Sequence, residues 1–336
     1  MPQRPTLADV AAAAGVSSIT VSRTIRSPHM VSAKARERVL SAIDRLGYTP
    51  DLAASVLASK TSSTIGFLVP SLSNNVFADV LRAVYDGLEG ARYVVQIGNF
   101  RYSALKEEAL IRSFLTQKPA GLILSGLDQS AAALRLLEQA SCPVVQIMDH
   151  GRPPLDMSVG FSHSDAAEAA VEHLLSCGYR RIGFLGARMD PRTQQRLQGF
   201  RTACQRAGVL DEARVVTTPA SSEVGIGRQL LEDLLCRAPD TDAVLCNNDD
   251  LAVGALMEAQ RRNISVPQEF GICGFNDIEM ARHIYPSLTT VATPRYEIGA
   301  QAIRMILAEI AEAGSVTDRV LDVGFQVVPR QTTRQT

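Results

Sequence analysis

Three arginines at four-residue intervals, Arg188, Arg192 and Arg196, follow the apolar run 182–185. A guanidinium is a planar fork that matches a carboxylate or phosphate, and this spacing stacks all three on one helix face if the helix begins early enough. Amides and carboxylates close other apolar runs: Asp149 after 144–148, Asn247 to Asp250 after 243–246, Asn276 and Asp277 after 270–274, and PSLSNNVFADV (70–80) after 65–69. Asn and Asp hold hydroxyls while Arg grips an anion, so the set describes a site for a polyhydroxy molecule with a negative charge. Any one of these residues serves equally as a helix cap or a solvated charge. Their recurrence at the ends of successive apolar runs is what favours a site.

A second chemistry sits near the N-terminus. In TLADVAAAAGVSSITVSRTI (6–25), Thr6 is a good N-cap, and Leu7, Val10, Ala11 and Ala14 recur at helical spacing. Gly15 allows the left-handed backbone that ends a helix, and Ser17 can cap a second one. Small Ala11, the turn Gly15 and apolar Val21 suit a helix-turn-helix, in which the first helix passes closely over the second. The outward face of the second helix then carries Ser17, Ser18, Ile19, Thr20, Ser22 and Arg23, short or flexible groups able to meet base edges and phosphates in a major groove. A helix of an ordinary bundle rarely shows so uncharged and hydroxyl-rich an outer face.

Catalysis and cofactor chemistry find no foothold. Gly225 and Gly227 lack the third glycine of a dinucleotide loop, no GxSxG elbow is present, and Ser162 and His163 read as the start of a helix. The five histidines and six cysteines show no metal-ligand spacing, so no metal or cofactor is expected, and the thiols read as reduced groups of a cytoplasmic protein. No run approaches the ~18 apolar residues of a membrane span, and no signal peptide is expected. With 336 residues the chain should form two or three domains. Its net charge of -1 hides an asymmetry: residues 1–60 hold eight Lys or Arg against four acids, +4, leaving 26 against 31, or -5, elsewhere. A basic head on an acidic body suits a head that meets phosphates.

The elements that must position these residues follow from patterning. A third helix is capped by Ser32, carries Val39, Leu40, Ile43 and Leu46 on its apolar side, and closes at Gly47. YTPDLAASVLASKTSS (48–63) offers about two helical turns over 51–59, too short to stand alone, followed by a Ser/Thr-rich linker. Strands are expected at 65–69, 94–98, 122–125, 144–148, 182–185, 215–218, 243–246 and 270–274. Helices fall between them, among others at 77–91, 104–117, 165–177, 194–207, 224–236 and 251–262. Such alternation means parallel sheets covered on both faces, and eight strands suit two doubly wound lobes. The expected fold is an all-α helix-turn-helix headpiece plus a two-lobed α/β body.

With TLADVAxxAGVSxxTVSR, VSxxxRxRV, GYTPDxxA and NDDLAVGA in hand, the chain from Leu7 to about Arg330 resembles the LacI/GalR family of transcription regulators. LVPSLSNNVFADVLR, PVVQIMD, DMSVGFS, FLGARMDPRT and LDVGF are similar to the gluconate-utilisation repressors within it. The resemblance implies a non-enzymatic, cytoplasmic, nucleoid-associated repressor: a homodimer on a near-palindromic operator, released or retained by a small effector bound between periplasmic-binding-protein-like lobes. Domains would be 1–61, with a hinge helix at 51–59, and 62–336, split into 62–160 with 292–321 and 161–291 with 322–336. DNA would be met by Thr6, Ser17, Ser18, Ile19, Thr20, Ser22, Arg23, Arg26, Ser32 and Tyr48, with Ala54 in the minor groove and Leu57 as the kinking wedge. Asp51 and Ser55 depart from the family's usual Asn and frequent Arg, which implies weaker or more effector-sensitive hinge docking. Effector contacts would be Asp149, Arg192, Arg196, Asn248 and Asn276, with Ser71 and Phe77 opposite. Asn276 stands where sugar-binding relatives often have Asp, which suits an acidic ligand, and Ala220-Ser221-Ser222 lacks the aromatic that stacks a purine. A gluconate-type acid is the expected effector; a neutral sugar or a phosphorylated sugar acid is the alternative, and a transport-type sugar receptor a remoter one. The family's leucine-rich tetramerising tail is missing, so a dimer is expected.

Overall fold

The computed structural model describes residues 5–26, 28–49 and 62–335, in two compact units, 1–62 and 63–336. The hinge helix at 51–59, with Ala54 and Leu57, lies outside the described residues, as does the side chain of Arg26.

In the first unit α1 spans Leu7–Ala14, α2 Ser18–Arg26 and α3 Ala33–Leu46, with a short 3-10 turn at Pro28–Met30. The ends are set by the expected groups. Thr6 Oγ1 accepts from the Asp9 amide at 3.3 Å while the Asp9 carboxylate accepts from the Thr6 amide at 2.8 Å, a reciprocal cap; Gly15 (φ 65°) and Gly47 (φ 60°) end α1 and α3 in the left-handed region. Losing such a cap costs about 1 kcal/mol. Thr6→Ala should therefore loosen α1 in the intact chain, seen as faster hydrogen exchange of its amides. Val10, Ala11, Ala14, Val21, Val39, Ala42 and Tyr48 form the core of this unit. Leu40 does not join them, being 47% exposed, because the buried face of α3 runs through Val39 and Ala42.

The second unit holds two six-stranded sheets. The first runs β11-β5-β4-β3-β1-β2, with β1 Thr64–Val69, β2 Val94–Asn99, β3 Gly121–Ser125, β4 Val144–Ile147, β5 Met157–Gly160 and β11 Val320–Asp322, all parallel. The second runs β12-β10-β9-β8-β6-β7, with β6 Ile182–Ala187, β7 Val215–Thr218, β8 Ala243–Cys246, β9 Gly271–Asn276, β10 Thr289–Ala292 and β12 Gln326–Val328, parallel except at the β10–β12 edge. β5, β10, β11 and β12 are strands that periodicity did not single out. Their sheet membership shows that the chain passes between the sheets three times: after β5, after β10 and between β11 and β12.

Helices cover the sheets: α4 Val76–Gly87, α5 Ala104–Thr116, α6 Ala131–Leu137, α7 His163–Ser176, α8 Pro191–Arg206, α9 Val224–Arg237, α10 Asp249–Arg261, α11 Glu279–His283 and α12 Arg295–Ala311. Gly227, considered above for a phosphate loop, has a packing role. α9 and α10 cross so closely that a Cβ on Gly254 would lie 2.0 Å from the Val224 carbonyl and one on Gly227 2.2 Å from that of Leu251. Six cysteines are free thiols, and among the described residues no cluster fit for a metal occurs and no helix is long and apolar enough to cross a membrane.

Candidate functional site

Two sites emerge, one in each unit. On the headpiece, α2 starts where Ser17 Oγ accepts from the Thr20 amide at 3.2 Å, and the two hydroxyls share a further hydrogen bond at 2.9 Å. Ser17 and Thr20 thus hold the end of the helix. Ser18, Ile19 and Arg23 stand exposed beside half-buried Ser22, while Val21 and Thr24 turn inward. Ile19 is 65% exposed, an aliphatic side chain presented to solvent with no core to serve. Behind the turn, Arg38 donates from Nε to the Ala14 carbonyl at 2.9 Å and from Nη2 to that of Gly15 at 2.7 Å, a brace that patterning had not found. Thr6 and Ser32 are exposed and cap α1 and α3, which leaves both hydroxyls at positive helix ends. Tyr48 differs from expectation. The residue is 9% exposed and packs into the headpiece core, which leaves at most the edge of its side chain for a duplex.

In the body, a cleft of about 120 Å³ is lined by Ser71, Phe77, Arg192, Arg196, Asn248 and Asn276 among others. Asp149 is not on that lining. It is 2% exposed, and its carboxylate accepts from the His150 amide at 2.9 Å and from Gln195 Nε2 at 3.2 Å. Burial, partly offset by the Gln195 bond, pushes its carboxyl up from the usual range. Asp149 nonetheless stays close enough to the cleft for its charge to couple with that of Arg192, and Met148 before it, at φ 72°, does line the cleft.

Nor do the three arginines stack on one face. Asp190 caps α8 by accepting from the Thr193 amide at 2.9 Å, and Pro191 takes the first position, so the helix begins too late to include Arg188. Arg188 and Met189 occupy the left-handed region instead, at φ 67° and 49°. The Arg188 guanidinium lies 4.0 Å from the ring centre of Tyr102, whose loop beyond β2 reaches over from the other sheet. Arg192 also bridges the sheets, donating from Nη1 to Ser125 Oγ at 2.8 Å, with Asp190 3.8 Å from its Nη2. Arg196 lies deepest, 8% exposed. Its Nε donates to His163 Nδ1 at 3.2 Å, its Nη1 donates to the Asn247 carbonyl, and its guanidinium carbon is 3.7 Å from the centre of the Phe275 ring. Burial lowers its pKa to about 10, still charged at neutral pH.

The polar remainder comes from the ends of β8 and β9. Asn248 Oδ1 caps α10 by accepting from Leu251 N at 3.0 Å. Asn276, in the unusual φ of 114°, is 5% exposed, and its Oδ1 is buried with no hydrogen-bond partner. A buried carbonyl oxygen left unmatched calls for a donor from an occupant. Three guanidiniums, Arg188, Arg192 and Arg196, face two carboxylates, Asp190 and Asp250, so the lining is net positive. Tyr102 and Asp190 were missed from the sequence; Tyr102 follows the end of β2, the same strand-end signal that singled out the others.

Comparison with known proteins fits this arrangement. Residues 6–51 match the model of bacterial regulatory proteins of the lacI family, and residues 171–333 that of the periplasmic binding protein-like domain. The HTH-type transcriptional regulator GntR of Pseudomonas aeruginosa is 42% identical over 98% of this chain and 96% of its own. A crystal structure of a LacI family transcriptional regulator from Silicibacter pomeroyi superposes with a TM-score of 0.92 at 34% identity, covering 98% of this chain and all of the other. The lac repressor dimer bound to operator and an anti-inducer gives 0.84 at 26% identity, over 99% of this chain and all of that one. With a hydroxyl-rich second helix on its headpiece and a net positive cleft in its body, the chain belongs to the LacI family, a DNA-binding transcriptional repressor and not an enzyme.

Proposed function

We propose that the repressor binds its operator as a homodimer and that a gluconate-like sugar acid in the cleft sets the strength of that grip. The observation that carries the effector reading is the pairing of net positive guanidiniums with the unpartnered Asn276 oxygen: one end takes a carboxylate, the other a hydroxyl donor. Asn248 and Ser71 supply further polar contacts and Phe77 an apolar wall. On the DNA side Ser18, Ile19 and Arg23 read the major groove, Thr6, Ser17, Thr20, Ser22, Arg26 and Ser32 position the headpiece on phosphates, and Ala54 and Leu57 of the hinge enter the minor groove. The dimer and operator parallel the lac repressor complex. Residues 1–61 form the DNA-binding domain and 62–336 the effector domain, and the working place is on the nucleoid in the cytoplasm.

One observation favours a second reading. Arg188 meets an aromatic ring where its neighbour Arg192 meets a carboxylate, so it can turn to a second anionic group and admit a phosphorylated sugar acid. Calorimetry on the whole protein with gluconate, a phosphogluconate, glucose and sorbitol decides. Gluconate should bind at least about tenfold more tightly than sorbitol, which offers similar hydroxyls without charge, since a charge-assisted hydrogen bond is worth ~1.5–3 kcal/mol. Equal binding of sorbitol removes the acid from the proposal, and binding of the phosphate ester alone moves it to the second reading.

A further inference from the structure

Arg196 is the deepest cation of the cleft, yet what aims it is an imidazole and a backbone carbonyl and not a carboxylate. His163, at the first position of α7, is entirely buried. Its Nε2 lies 2.8 Å from the carbonyl oxygen of Met148, an atom that can only accept, so Nε2 carries the proton and donates. Its Nδ1 is then an unprotonated acceptor, and Arg196 Nε–H points at it from 3.2 Å. The two bonds agree on one tautomer of the neutral ring. Phe161, with its ring centre 4.4 Å away, and Phe275, at 6.1 Å, wall the imidazole in, and Phe275 also lies under the Arg196 guanidinium. Burial first, then the charges of Arg196 and Arg192, keep His163 well below the ordinary histidine range and hence neutral.

The connectivity gives this pair more than a packing role. Met148 follows β4 of the first sheet and lines the cleft, whereas His163 and Arg196 belong to helices beside the second. The relay from Met148 carbonyl through imidazole to guanidinium therefore joins the two walls of the cleft at its deepest cation. With Nε occupied by His163 and Nη1 by the Asn247 carbonyl, the guanidinium is fixed in rotation, and its Nη2 is left for an occupant.

We propose that His163 is the positioning residue for Arg196, its neutral Nδ1 setting the guanidinium at the angle that receives the effector's carboxylate. This rests on the sugar-acid reading for the identity of the anion but not for the relay itself. Three substitutions separate the roles of the ring. In His163→Asn the side-chain oxygen takes the place of Nδ1 and keeps the acceptor for Arg196. His163→Gln carries an amide out to the Nε2 position and keeps the donor to Met148 while losing the acceptor. His163→Leu keeps volume alone.

Nitrogen-15 NMR of the intact protein, with the Arg196 Nε–H resonance identified by its loss in Arg196→Lys, reads the relay without any ligand. That Nε–H should exchange slowly in the parent and in His163→Asn and fast in His163→Gln and His163→Leu. The His163 ring nitrogens should show the Nε2–H tautomer. Calorimetry with gluconate should find His163→Asn within about threefold of the parent, and the other two weaker by tenfold or more. A slowly exchanging Arg196 Nε–H in His163→Gln, or an equal loss of affinity in all three, overturns the proposal and leaves His163 a packing residue. A parent that binds no sugar acid sinks the effector reading instead, while the exchange data still decide the relay.

Discussion

Arg196→Lys is expected to weaken effector binding by about 100-fold while the charge at the position is retained. The parent guanidinium satisfies His163 Nδ1 and the Asn247 carbonyl at once and lies over Phe275. An ammonium is a point charge on a flexible stem and cannot serve these partners and a carboxylate together. One of the buried acceptors is left unmatched, at a cost of ~1–3 kcal/mol, and the fixed Nη2 donor toward the ligand is lost with it. Calorimetry gives the affinity, and fluorescence anisotropy with a labelled operator gives the consequence: the midpoint of the gluconate response should move up by the same factor. An unshifted midpoint removes Arg196 from the site.

The second large effect is on the DNA side. Ile19→Asp should reduce operator affinity by at least about 100-fold. Ile19 is 65% exposed and takes no part in the headpiece core, so the substitution leaves the helix packing of Val21 and Val39 in place, and circular dichroism should be unchanged. What changes is the surface offered to the duplex. An apolar contact with the base edges is removed, and a carboxylate is brought toward phosphates that repel it. Ile19→Ala should show the contact alone, near tenfold. If Ile19→Asp binds the operator as the parent does, α2 is not the reading element.

The places where sequence patterning succeeded and failed have physical causes. Helix ends were readable because caps are local: Thr6, Ser32, Gly15 and Gly47 act through hydrogen bonds and backbone angles within three or four residues. Leu40 was misplaced because it lies one residue, about 100° of helix, from Val39 on the buried face. The strands β5, β10, β11 and β12 are three or four residues long, and their pairing depends on chain returning from far away, for example Val320–Asp322 beside residues 158–160. No local period marks such segments.

The cleft was readable to the extent that strand ends converge, which brought Arg192, Arg196, Asn248 and Asn276 together with Ser71 and Phe77. Direction was not readable. Asp149 is buried on His150 N and Gln195 instead of lining the cleft, and the start of α8 at Pro191 leaves Arg188 to meet Tyr102. His163 shows the limit most clearly. From the sequence it is a residue at the start of a helix; only the approach of Met148 and Arg196 from 15 and 33 positions away gives it work.

The central claim is that an anion in the cleft and a duplex on the headpiece act on one equilibrium, so each must alter the other's affinity by the same factor. The direct measurement is anisotropy of a labelled duplex, taken from the region upstream of the chain's own reading frame, titrated with protein at zero and saturating gluconate and beside it Arg196→Lys. The account predicts a shift of at least tenfold in the parent, about 1.4 kcal/mol of coupling, and none in Arg196→Lys at the same concentration. Tight operator binding that no sugar acid or phosphorylated sugar acid changes would contradict it.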